Sequence, residues 1–191
     1  MDFKGIAKNI FSGFSLEKLG MGSLRGSLTI LMYHRIRVCD DPFAPCKILT
    51  VTPDQFDEQV NYLKDHYKVL SLSEGIRRLL NGRLEEERAV CITFDDGFAD
   101  NYHEAFPVLK KYDVSAAIFL STGYTGTDKE MWWDKLDRMV SDTKLKEVNT
   151  SGMEGLKEKY KVEIPFQKNQ FYSEVIAKLP SMTTEQTEKY M

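Results

Sequence analysis

The chain has 191 residues, enough for one domain with a core of its own, and at 42% hydrophobic and 29% charged it reads as a soluble globular protein. Its 26 basic and 29 acidic residues leave a net charge of −3, which argues against a nucleic-acid surface, where a basic excess is the rule. No apolar run approaches the roughly 18–20 residues of a membrane span.

The first 27 residues carry no continuous apolar stretch and no obvious cleavage site, so they do not read as a secretory signal. Phe3, Ile6, Ile10 and Phe14 recur at helical spacing, with Lys4 and Lys8 between them. A helix packed on the domain is the favoured reading. An amphipathic contact with a membrane surface through residues 3–14 is the other. Cys39, Cys46 and Cys91 include no CxxC pair, and free thiols in a reducing compartment follow. The expected location is cytoplasmic, at the inner membrane face if residues 3–14 anchor there.

"SLTILMYH" (27–34) reads as a buried strand that ends in His34. A helix follows in "TPDQFDEQVNYLKDHY", with Thr52 as cap, Pro53 at the first helical position and Gln55 completing a capping box. Its apolar face is Phe56, Val60, Leu63 and Tyr67. "YKVLSL" (67–72) is a short strand. Ser71 and Glu74 then form a second capping box, for a helix that stops near Asn81-Gly82. "RAVCITF" (88–94) is a third strand, leading into Asp95 and Asp96. Asn101 to Tyr112 is helical in two pieces, because Pro107 breaks or restarts it. "VSAAIFLST" (114–122) is a fourth strand, and a helix with Trp132, Trp133, Leu136 and Val140 comes next.

Strands alternating with helices predict a parallel α/β fold, in which functional groups gather at the C-terminal ends of strands. His34, Asp95 and Asp96 all fall there. The expected organisation is an N-terminal amphipathic segment (1–27), an α/β domain (28–140) and a polar segment (141–191). That last segment reads as mostly helical, with no strand in it.

Two adjacent carboxylates repel unless they divide a task. As an ordinary solvated turn, "DDG" needs no further account. As a site, one carboxylate holds a divalent cation and the other takes a proton from water, while a histidine protonates the leaving group. A strand-end histidine alone is more often a hydrogen-bonded core residue.

The stretches "ILMYHRI" (30–36), "TVTPDQFDEQVNYL" (50–63), "VLSLSEGI" (69–76), "AVCITFDDGFADNY" (89–102), "AFPVLKKYDVSAAIFLSTGY" (105–124) and "WWDKL" (132–136) together resemble the polysaccharide deacetylases, carbohydrate esterase family 4. The resemblance implies a partial, distorted (β/α) barrel. It implies metal-dependent removal of acetyl groups from an N-acetylated sugar or polysaccharide, with zinc first among the metals and cobalt or nickel next. The cytoplasmic location expected above would make that sugar lipid- or nucleotide-linked. Asp95 would be the general base and Asp96 a metal ligand. The early "MYH" resembles the permuted subgroup of bacterial poly-N-acetylglucosamine deacetylases, which makes His34 the general acid. The family's H-[ST]-x-x-H metal motif is absent, since the only histidines are His34, His66 and His103. The expectation is an N-terminal portion of a longer deacetylase, inactive alone, that self-associates or needs its missing half. A non-catalytic glycan-binding protein is the rival reading. Phosphoryl transfer is disfavoured, because Asp95 and Asp96 are adjacent rather than in D-x-D spacing.

Overall fold

A computed structural model describes residues 26–38, 49–84 and 88–178 of the chain. The amphipathic stretch 3–14, Cys39, Cys46 and the end of the polar segment lie outside these residues. The described elements begin with β1 (Leu28–Tyr33), β2 (Arg35–Ile36), β3 (Thr50–Val51), α1 (Pro53–His66), β4 (Lys68–Val69) and α2 (Leu72–Leu80). They continue with β5 (Ala89–Asp96), a π-helical turn (Asn101–Ala105), α3 (Phe106–Lys111), β6 (Ala116–Leu120), α4 (Trp132–Asp142), β7 (Glu147–Asn149), β8 (Lys159–Lys161) and α5 (Pro165–Lys178). The chain divides into two compact units, one of residues 1–36 and 53–119, the other of residues 37–52 and 120–191.

In the first unit β5 is the central strand. Ala89 through Phe94, apolar except for Thr93, form one buried run, each at most 3% exposed, as a parallel strand covered on both faces requires. β1 pairs with it in parallel, from Leu28 opposite Ala89 to Tyr33 opposite Phe94. β4 pairs in parallel along the start of β5, and β6 also pairs with β5. Strand β5 runs two residues further than its apolar stretch and takes in Asp95 and Asp96.

Helix α1 starts at Pro53, as the spacing predicts, and buries Phe56, Val60 and Leu63. Phe56, Tyr33 and Phe94 meet in an aromatic cluster with ring centroids 5.1, 5.6 and 5.7 Å apart. Tyr33 donates to Gln59 Oε1 at 2.8 Å, and burial pushes its phenol far above the ordinary value. In α2, Ser71 caps the first turn by accepting from the Glu74 N–H. The Glu74 carboxylate binds Arg77 and Arg78 one turn on. The helix ends at Asn81, with Gly82 in the left-handed region at φ +65°. Gly75 faces Cys91 and Leu28 so closely that a Cβ there would stand 2.7 Å from the Cys91 Sγ.

Pro107 does not break the helix cleanly. It has no N–H for the fourth residue back and would crowd that carbonyl, so the preceding turn widens. The Phe106 N–H reaches the Asn101 carbonyl in a π turn, and α3 continues from there.

In the second unit α4 and α5 pack Leu136, Val140, Phe171, Tyr172 and Val175 around Tyr160 and Val162. The polar segment is not free of strands. β7 and β8 form an antiparallel pair with Val148 opposite Tyr160, which corrects the expectation of helix alone. Each strand is three residues long and flanked by Lys or Glu, residues depleted in strands, so the one inward side chain on each leaves almost no pattern. Helix α5 is where the segment does meet the helical expectation. Among the described residues, no helix is long and apolar enough to cross a membrane.

Candidate functional site

His34 immediately follows the last registered pair of β1 and β5, Tyr33 with Phe94. It is the first residue past the paired part of β1, as Asp95 is the first past its partner Phe94 on β5. Asp96 closes β5 in the left-handed region at φ 69°, and Gly97 follows at φ 72°. The Gly97 N–H donates to the Asp95 carbonyl at 2.9 Å, which makes Asp96 the centre of a γ-turn. Such a turn with positive φ is strained for any residue with a Cβ. Asp tolerates it better than most, because its short side chain bonds locally. All three predicted residues are half-buried at one end of the sheet.

What holds this end together is a group that sequence reading missed. Asp100, in the first helical turn after β5, accepts from Arg35 Nε at 2.7 Å and from the Ile36 N–H at 3.2 Å. Asn101 donates from Nδ2 to the His34 carbonyl at 2.8 Å and to Asp100 Oδ1 at 3.2 Å. The Arg35 guanidinium also lies 4.0 Å above the Phe98 ring. Residues 34–36 are thus tied to the first helical turns after β5, the strand that carries the aspartates. "MYHRI" and "GFADNY" show these residue types in the sequence, but no spacing rule connects Arg35 to a partner 65 positions away.

The metal expectation is not met by these residues. Among the described residues, no group of three or more His, Cys, Asp or Glu is placed to hold a metal ion. His66 is exposed at the end of α1, with its ring against Tyr62. His103 is exposed in the π turn beside Tyr102. Asp96 alone is no site, since a catalytic zinc takes three protein ligands.

Residues 83–154 match the family model of the polysaccharide deacetylases. The poly-β-1,6-N-acetyl-D-glucosamine N-deacetylase of Staphylococcus aureus is 33% identical over 137 residues, which are 66% of this chain and 46% of that enzyme. Among solved structures, the Streptococcus pyogenes deacetylase PplD is 38% identical, with TM-score 0.46 over 60% of this chain and 50% of that one. The protein IcaB of Ammonifex degensii is 28% identical, with TM-score 0.45 over 60% of this chain and 48% of that one. The matched stretches span half or less of these relatives. The family-model match, residues 83–154, includes Asp95, Asp96 and the residues that follow them.

Proposed function

We propose that the chain is part of a metal-dependent deacetylase that hydrolyses the acetamido bond of an N-acetylated polysaccharide. Asp95 takes the proton of the attacking water, and His34 protonates the departing amine. A single observation carries this reading: His34 and Asp95 stand at neighbouring ends of two parallel strands, within a loop system clasped by Asp100 and Asn101. The Staphylococcus aureus relative, which acts on poly-β-1,6-N-acetyl-D-glucosamine, supports that polymer class. The cation is a further part of the proposal, with zinc first and Asp96 as one ligand. No step is assigned to it, because the described residues supply no complete ligand set.

We also propose that the sheet is part of a distorted (β/α) barrel of the permuted kind. Ile30 and Met32 on β1 and Ile118, Phe119 and Leu120 on β6 are about half exposed or more, as strands awaiting further cover would be. A cytoplasmic location is proposed from the sequence, and cell fractionation tests it.

The test measures acetate released from poly-β-1,6-N-acetylglucosamine. The chain alone is expected to release none, with or without zinc, cobalt or nickel. Joined to a C-terminal half that carries H-[ST]-x-x-H, it is expected to turn over, and Asp95→Asn and His34→Ala should each abolish that turnover. Zinc-dependent release by the chain alone, or release indifferent to both substitutions, would refute the reading. The rival reading is a glycan-binding protein without catalysis. Saccharide binding by an assembled protein that never releases acetate would establish it.

A further inference from the structure

We infer that the second unit binds a single-chain fatty acid of about ten to twelve carbons, in a cavity set into its own hydrophobic core. The inference stands apart from the deacetylase reading, since the cavity is lined only by residues between Leu136 and Val175. It holds about 310 Å³. Its inner wall is Leu136 and Val140 of α4, Val162 after β8, and Phe171 and Val175 of α5, each at most 8% exposed. These same side chains make up the core of the unit. A packed core leaves few voids larger than a water molecule. An apolar void of about 150 Å³ stays dry and takes benzene, a six-carbon ligand, so a space about twice as large takes about ten to twelve carbons.

Met139 and Leu145 also line the cavity, and at 44% and 61% exposed they form its mouth. Met139 and Met153 bring flexible thioethers, which adapt to a chain of no fixed shape. The few polar groups of the lining are mostly spent within the protein. Thr143 Oγ1 accepts from the Leu145 N–H at 3.2 Å, Thr150 Oγ1 donates to the Lys157 carbonyl, and Asn149 Oδ1 accepts from the Ser151 N–H at 2.8 Å. A strongly polar ligand would find little to bond. Charge then decides what heads the chain. No acidic residue lines the cavity. Lys168 on α5 donates from Nζ to the carbonyls of Ser141 at 2.8 Å and Thr143 at 3.3 Å, so its ammonium stands at the edge that Thr143 lines. An ammonium has three donors, which leaves Lys168 one for a ligand. Lys144 is exposed between two lining residues, Thr143 and Leu145. Among the described residues neither lysine is paired with a carboxylate, whereas Lys146 is paired with Glu163 at 3.4 Å. The acid nearest in sequence, Asp142, acts on Arg138. Two such cations beside an apolar cavity fit a carboxylate head on an apolar tail.

The experiment titrates the full chain by calorimetry with dodecanoate below its micelle concentration, with hexanoate and with methyl dodecanoate. The methyl resonances of Val140, Val162 and Val175 give the place of binding without any variant. Dodecanoate is expected to move them and to bind at least about a hundredfold more tightly than hexanoate, because its longer chain takes more methylenes out of water. Lys144→Gln and Lys168→Gln together should weaken dodecanoate about three- to tenfold and leave methyl dodecanoate unchanged. Lys144→Gln alone, at an exposed position, should show part of that loss if the double variant does not fold. No binding, equal affinity for hexanoate and dodecanoate, unmoved valine resonances or variants that bind dodecanoate as well as the parent would each overturn the inference. So would binding to phosphatidylglycerol vesicles without binding to free dodecanoate, which would make this face a membrane surface. Dodecanoate binding gained only on removal of residues 179–191 would also overturn it, since the cavity would then be the seat of those residues.

Discussion

Replacing Asp100 with alanine tests whether the first helical turn after β5 is what fixes residues 34–36. The substitution removes one charged partner, at 2.7 Å from Arg35 Nε, and two neutral ones, the Ile36 N–H and Asn101 Nδ2, both at 3.2 Å. A hydrogen bond to a charged group is worth about 1.5–3 kcal/mol and a neutral one about 1 kcal/mol. Both side chains are shielded, with 19% of Arg35 and 11% of Asp100 exposed, so the loss is not the near-zero loss of a surface pair. Arg35 keeps its seat on Phe98, which offsets part of it. The expected destabilisation is about 3 kcal/mol, against about half of that for Asp100→Asn, which keeps an acceptor oxygen. Urea unfolding reads this directly: with a slope of about 2 kcal/mol/M, the midpoint falls by about 1.5 M for alanine. A fall below about 0.5 M, or an asparagine variant as damaged as the alanine one, would refute the clasp.

Gly75→Ala should destabilise the chain by about 1–3 kcal/mol in the same assay, although alanine is the better helix former, because the new Cβ meets Cys91 Sγ and Leu28. Cys91→Ala in the Gly75→Ala background should recover part of that loss, and full additivity would argue against the close approach. Hydrogen bonds from Arg78 and Arg77 hold the Glu74 carboxyl below its usual range. Its contribution is therefore complete above about pH 4.3 and lost as pH falls through the lowered value. The stability difference between parent and Glu74→Gln should be flat above pH 5 and shrink below pH 4; a difference that grew on acidification would refute the pairing. Cys91 is fully buried, and burial pushes its thiol up, so iodoacetamide at pH 8 should label it only after unfolding. Mass mapping of the labelled peptide under native conditions checks this.

The parts of the fold legible in the sequence are those written in local rules. Ser71 followed by Glu74, Pro53 at a helix start, Asn81-Gly82 at a helix end and the run Ala89–Phe94 all act over a few residues, and each element formed where its signal stands. The strand-end placement of His34, Asp95 and Asp96 followed from the same reading. Three things were not legible. The β7–β8 pair depends on Val148 meeting Tyr160 across a loop, with only one inward residue on each strand. Pro107 announced a fault in the helix but not its form, since a break and a π turn have the same sequence signature. The clasp of Arg35, Asp100 and Asn101 joins positions that only the folded sheet makes neighbours.

The pairing of β1 with β5 also sets an order in time. Thr93 and the Leu31 carbonyl, bonded across that ladder, are 62 residues apart, whereas the Thr150–Lys157 bond beside β7 and β8 closes over 7. Loop-closure entropy alone makes the long closure about 2 kcal/mol harder. The β7–β8 region therefore gains its contacts early, and the central ladder closes late. During synthesis at about 5–20 residues per second, Leu28–Tyr33 waits several seconds before its partner strand exists. Once outside the ribosome it is an apolar segment with two open edges, so a chaperone has the most to do until Ala89–Asp96 has emerged as well.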